Sequence, residues 1–215
     1  MYRLHCFSQS GNSYKVALML QALRQPWEPV FVDYMDASQT RQPGWREQVN
    51  AMGETPVLET DDGKRLAQSG AIMHWLADRH GQFGGRDADE RYEVLRWLLF
   101  DNHKFTSYFA TYRFSKAFIE AEPDPGVMAF LRSRIDSTFG LVDRHLADRA
   151  WVVGDRPTIA DFSMAGYMFY PVEESGMDIA ALFPNIGAWM QRLRGIDGWR
   201  EPYALMPGER VMPRR

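Results

Sequence analysis

A serine hydroxyl placed just before a helix can stabilise an anion, and Ser10 has that position. It follows a short strand-like run, Tyr2 to Phe7, and precedes a helical pattern that Asn12 can N-cap. An anion above such a helix start, a thiolate included, meets the hydroxyl and free backbone N–H groups together. The alternative is that Ser8, Ser10 and Ser13 are ordinary loop and capping residues. Gln68-Ser69 is a second place of this kind, just before a later helix. A carboxylate there can accept from N–H groups and from the Ser69 hydroxyl, while the Gln68 side-chain carbonyl accepts from an ammonium. The alternative is a Ser69 that only caps its helix.

Asp101-Asn102-His103-Lys104 gathers an acid, an imidazole and an amine on one stretch of helix, where they either bind charge or form a solvated face. The aromatic residues that follow, Phe105, Tyr108, Phe109, Tyr112 and Phe114, either line an apolar pocket or pack in the core. Cys6 lies inside the first strand and reads as a small buried hydrophobe. His5, His74, His80, His103 and His145 show no metal-ligand spacing, and neither a phosphate-cradling glycine loop nor a Gly-x-Ser-x-Gly elbow occurs. No metal is expected.

The elements that must position these residues divide the chain in two. Over residues 1–80, Tyr2–Phe7 reads as a strand, Ser13–Arg24 as a helix with Val16, Met19, Leu20 and Leu23 along one face, and Pro29–Asp33 as a second strand. After an irregular stretch, Gln42–Met52, the runs Thr55–Glu59 and Arg65–Ala67 flank the turn Asp61-Asp62-Gly63. Ser69 then opens a helix that Gly81 stops. A Gly-rich linker spans 81–88, and residues 89–215 read as helices only. One long helix is expected over Asp89–Phe118, broken by Glu122-Pro123-Asp124-Pro125-Gly126, and others over Met128–Ala147, Ile159–Tyr170 and Pro184–Arg194. Thr158-Ile159-Ala160-Asp161 is a capping box with a folding role. The tail, Pro207–Arg215, is expected to be mobile or draped on the surface.

The chain has 215 residues, 45% hydrophobic and 25% charged, so it can bury a substantial core. A net charge of -3 gives no electrostatic case for nucleic acid or an anionic membrane. The single cysteine excludes an intrachain disulfide and fits a reducing compartment. The first residues lack a signal-peptide h-region and no segment is apolar enough to span a bilayer, so a soluble, unprocessed cytoplasmic protein is expected.

The β-α-β, link, β-β-α order, with a proline starting the third strand, resembles the thioredoxin-like half of the glutathione transferase family, and the helical remainder resembles its other half. The resemblance covers nearly the whole chain and rests on Ser10-Gly11-Asn12-Ser13-Tyr14-Lys15-Val16, on Thr55-Pro56-Val57-Leu58 with Gln68-Ser69, and on Thr158-Ile159-Ala160-Asp161. It implies an α+β two-domain fold and glutathione as co-substrate. Ser10 falls where serine-using classes, and the cysteine-using bacterial beta class, keep the functional residue, and its implied role is donor to the thiolate. A free thiol near pKa ~8.5 needs about 2 kcal/mol of differential stabilisation to ionise near pH 7. One hydrogen bond to a charged acceptor, about 1.5 to 3 kcal/mol, can supply it. Asn12 and Ser13 are the substitutes.

Thr55-Pro56 resembles the family's cis-proline turn, where the residue before proline pairs its backbone with the cysteinyl amide; Glu54 stands where some classes carry glutamine. Gln68-Ser69 resembles the pair that holds the γ-glutamyl end. Asp101, His103 and Lys104 resemble a beta-class segment lining the glutathione site, with Asp101 reaching across a homodimer. Phe105, Tyr108, Phe109 and Tyr112 are the expected pocket for a small electrophile. The implied activity is attack of the glutathione thiolate on that electrophile, in detoxification. The alternatives are glutathione-dependent disulfide reduction or isomerisation on the same fold, and a non-catalytic binding protein.

Overall fold

A computed structural model describes residues 1–35 and 38–214. Strand β1 (Tyr2–Cys6) leads through a short loop into α1 (Gly11–Ala22), which returns to β2 (Trp27–Phe31). The two strands run parallel, Tyr2 opposite Trp27 and Cys6 opposite Phe31. The second strand starts two residues before the expected Pro29, because Trp27 and Glu28 pair with Tyr2 and Arg3. It is the outer strand of the sheet, where a proline costs no ladder bond to a further neighbour. Part of the stretch expected to be irregular forms a short helix, α2 (Pro43–Gln48), with its proline in the first turn. Strands β3 (Val57–Glu59) and β4 (Arg65–Ala67) complete an antiparallel hairpin, in the sheet order β2-β1-β3-β4. Helix α3 (Ser69–His80) follows and ends on Gly81 at φ 63°, the left-handed cap that glycine adopts without strain.

The helical half opens with α4 (Ala88–Phe100), capped by the Asp87 side chain on Glu90 N. The single long helix expected here is a continuous run interrupted by a π turn, Asp101–Phe105, before α5 (Thr106–Ala117). A π turn advances the chain less per residue than an α turn, so every side chain after it faces differently from an unbroken 3.6 period. Then come α6 (Pro125–His145), α7 (Ile159–Met164), α8 (Val172–Ser175), α9 (Ile179–Leu182), α10 (Pro184–Arg194) and α11 (Pro202–Leu205). Helix α7 stops short of the expected Tyr170, giving way to a 3-10 turn at Ala165–Tyr167.

One core runs through both halves, from Leu4, Val16, Leu20 and Ile72 to Phe139, Phe162 and Trp189. The capping box is present. Asp161 accepts from Thr158 N at 2.9 Å, and its other oxygen accepts from Val152 N and Trp189 Nε1, each at 2.9 Å. Burial raises this carboxyl's pKa, and those donors oppose the rise. Cys6 is buried and its thiol is pushed up to about 12, which makes it an inert packing residue. No helix among the described residues is long and apolar enough to cross a membrane. The tail drapes rather than floats: Glu209 O accepts from Gln9 Nε2 at 2.8 Å and Arg214 N donates to Ala117 O at 2.9 Å. Arg215 lies outside the described residues.

Candidate functional site

Between the halves lies a cleft of about 490 Å³. Its first wall is the β1–α1 loop. Ser10 has extended backbone (φ -87°, ψ 103°), and its Oγ accepts from Ser13 N at 3.1 Å. Ser10 is therefore the N-cap, in place of the expected Asn12. Capping uses the oxygen as acceptor and leaves the hydroxyl proton for something in the cleft. Asn12 lines the same wall, and its buried Oδ1 has no protein partner.

The second wall is the β3 start. Thr55-Pro56 is cis, and Thr55 Oγ1 ties the turn to β1 by donating to His5 O at 2.7 Å. Gln68 precedes α3 with φ 68° and ψ 110°, a conformation side-chain-bearing residues seldom adopt, which marks a functional constraint. Its Nε2 donates to Glu54 Oε2 at 2.5 Å, so the amide oxygen remains as an acceptor beside a carboxylate. Ser69 is buried in the first turn of α3 and lines the cleft. Gln68, not Ser69, holds the cap position, which removes the alternative reading of that serine. Ser10, Asn12, Glu54, Thr55, Pro56, Gln68 and Ser69 thus converge on one cleft.

The helical wall departs from expectation. Asp101 is wholly buried, and its carboxylate is taken by Lys15 Nζ at 2.8 Å, Ser163 Oγ at 2.6 Å and Thr106 Oγ1 at 2.5 Å. It neither lines the cleft nor is placed to reach another subunit. His103 and Lys104 are exposed and do not line the cleft either; Asn102, from the same π turn, does. Phe105 and Phe109 pack in the core against Phe139, with ring centroids 4.1 and 5.4 Å away. Tyr108 and Tyr112 are partly buried against that core. Of the expected aromatic cluster only Phe114 lines the cleft, joined by Ala110, Thr111, Phe118 and Tyr167.

Sequence reasoning missed Arg113. It lines the cleft from a buried position, its NH1 donating to Gln9 O at 2.9 Å and its Nε to Glu174 Oε2 at 2.8 Å. Its guanidinium carbon lies 3.9 Å from the Tyr170 ring centroid. The available signal was an arginine set within an apolar aromatic stripe.

A thioredoxin-like sheet domain with a cis-proline turn, facing a helical domain across a cleft lined by the β1–α1 loop, that turn and the start of α3, defines a two-domain class. The matches with known proteins agree with that class. Residues 4–84 match the family model "Glutathione S-transferase, N-terminal domain" and residues 117–192 match "Glutathione S-transferase, C-terminal domain". The crystal structure of a glutathione S-transferase from Pseudomonas fluorescens is similar at a TM-score of 0.83 and 30% identity, covering 94% of this chain and 98% of that one. A curated relative, Glutathione S-transferase GST-4.5 of Xanthomonas campestris pv. campestris, is 28% identical over 80% of this chain and 84% of its own. The structure of Ure2p in complex with glutathione has the same fold, with a TM-score of 0.83, 20% identity, and 95% of this chain and 97% of that one covered. The chain belongs to the glutathione S-transferase family.

Proposed function

We propose that the protein is a cytoplasmic glutathione transferase that ionises the glutathione thiol and directs it at a small electrophile. The observation that carries this reading is the Ser10 hydroxyl, fixed by its bond to Ser13 N while it lines a cleft shared with Thr55-Pro56 and Gln68-Ser69. Thr55 pairs its backbone with the cysteinyl residue. The γ-glutamyl carboxylate meets the α3 N-terminus and Ser69, and its ammonium meets the Gln68 carbonyl beside Glu54. Ser10 donates to the sulfur, whose proton leaves to water. The thiolate then attacks an electrophile held against Phe114, Phe118 and Ala110, with proximity supplying much of the rate. That glutathione occupies the corresponding fold in Ure2p supports the ligand.

The test is the ultraviolet thiolate absorbance of bound glutathione, titrated with pH. The wild type is expected to show a bound thiol ionised near neutrality, and Ser10→Ala to raise its pKa by about one unit or more, a tenfold or greater loss of thiolate. Calorimetry that detects no heat with millimolar glutathione ends the proposal. Turnover of halogenated aromatics, epoxides, maleyl compounds and mixed disulfides then identifies the reaction; no turnover with any of them favours the binding-protein alternative.

We further propose a homodimer. Tyr92, Leu95 and Leu99 form an exposed apolar stripe along α4, beside a hollow of about 960 Å³ that reaches α3. Leu95→Glu with Leu99→Glu is expected to convert the dimer to a monomer in sedimentation, and a monomeric wild type refutes it.

A further inference from the structure

Two N–H groups of the first turn of α1 have an oxygen of Ser10 in front of them. Tyr14 N donates to Ser10 O at 2.9 Å, the ordinary opening bond of the helix. Ser13 N donates to Ser10 Oγ. The two that remain, on Gly11 and Asn12, lie beside the phenol of Tyr167, a residue of the helical half, and hold its pKa below what burial alone would give. The positive end of α1 is faced by two hydroxyls, Ser10 and Tyr167, each with a proton to give.

Tyr167 reaches this place because residue 11 is glycine. A Cβ there would meet the ring's Cδ2 and Cε2 atoms, and Gly166 O, at 2.6 Å. The 3-10 turn that ends α7 delivers the ring to this contact. Tyr167 also lines the cleft, as Ser10 and Asn12 do. Arg113 lies on its other side, the guanidinium carbon 5.6 Å from the ring centroid.

The geometry points to Tyr167 as a second hydrogen-bond donor to the glutathione sulfur, acting beside Ser10 at the N-terminus of α1. This rests on the glutathione reading above and assigns that site a residue from the opposite half. No bond to the protein forms and no electron is transferred: the thiol proton goes to water, and Ser10 and Tyr167 keep theirs as donors. Burial raises the phenol's pKa, which keeps it protonated at neutral pH. Arg113 and the two amides oppose that rise, Tyr34 adds to it, and the same donors polarise the O–H bond towards the cleft. A phenol is more acidic than an alcohol and so is the stronger of the two donors.

Tyr167→Phe keeps the ring and its packing on Gly11. It is expected to raise the pKa of bound glutathione by about one unit, a tenfold loss of thiolate at a pH below that value, and to shift the pH profile of kcat/KM by the same amount. Glutathione affinity measured above the thiol pKa should fall with it. Ser10→Ala should produce its own rise, and the double variant a larger one. Fluorotyrosine introduced at position 167 alters only the acidity of the donor, and the bound thiol pKa should fall. The inference is overturned if Tyr167→Phe and the fluorinated protein both titrate as the wild type does. A rise in Ser10→Ala alone then leaves the Ser10 reading standing; a rise in Tyr167→Phe alone sinks the Ser10 reading and keeps this one. Wild-type protein that binds no glutathione sinks both.

Discussion

Lys15–Asp101 and Arg113–Glu174 are both buried ion pairs at the junction of the two halves, yet one is sealed and the other opens on the cleft. In the first, α1 meets the π turn, and the carboxylate is saturated by Lys15, Ser163 and Thr106. Nothing there is free to meet a ligand. In the second, Glu174 also accepts from Tyr203 OH at 2.8 Å and lies 3.4 Å from Arg210 of the tail, while Arg113 holds Gln9 O next to Ser10. The same chemistry serves docking in one place and site geometry in the other. What decides is whether a second cation stands by.

Removing one partner from each pair separates the two roles. Asp101→Ala strands Lys15 in a dry interior, and a loss of about 3 to 5 kcal/mol is expected in denaturant unfolding. Lys15→Met combined with Asp101→Leu should recover most of it, because two apolar residues need no partner. If the double variant is as unstable as the single, the pair contributes more than mutual neutralisation. Arg113→Met is expected to cost less, about 2 to 3 kcal/mol, since Glu174 keeps Tyr203 and Arg210. Its larger effect should fall on function: Gln9 O loses its donor, the Ser10 loop loosens, and the KM for glutathione rises more than kcat falls. An Arg113→Met enzyme with unchanged KM would make this pair as purely structural as the first.

Neither pair was legible in the sequence, and the reason is distance along the chain. Thr158–Asp161 is defined by bonds across a few residues, so local pattern sufficed to find it, whereas Ser10, Thr55-Pro56 and Gln68-Ser69 were singled out through the family resemblance. Lys15 and Asp101 are 86 positions apart, Arg113 and Glu174 61. No periodicity connects them. The aromatic run was not resolved either: Phe105 and Phe109 pack in the core beyond the π turn, while Thr111 and Phe114 line the cleft. Tyr167 escaped for the same reason of distance, since its ring packs on Gly11, far away in the chain, from the 3-10 turn that follows α7.

Asp161 is a third buried carboxylate, and it sharpens the contrast because only neutral groups surround it. Thr158→Ala removes the cap hydroxyl but leaves three N–H donors in place. The expected loss is about 1 kcal/mol, the usual size for a helix N-cap, with glutathione binding unchanged. A loss as large as that of Asp101→Ala would mean that neutral donors hold a buried charge as tightly as a cation does.

The smallest effect belongs to a pair at the opposite extreme. His5 Nε2 lies 3.4 Å from Glu59 Oε2 on the sheet, where Glu59 also meets Arg3 and Arg65, and its ring packs edge-on to Trp45 at 5.7 Å. Burial lowers the imidazole's pKa more than Glu59 raises it, so the folded state binds a proton less readily than the unfolded chain. Stability is then complete above the ordinary histidine range and declines as pH falls through it towards the depressed folded value, at less than one proton per pH unit. His80 is lowered by burial as well and adds to the slope. His5→Gln should flatten the fall in melting temperature between neutral and mildly acid pH without removing it, while leaving the bound glutathione thiol pKa where it was. A variant that steepens the fall would mean that Glu59 outweighs burial, and that a carboxylate already shared with two arginines can still hold a charge on this imidazole.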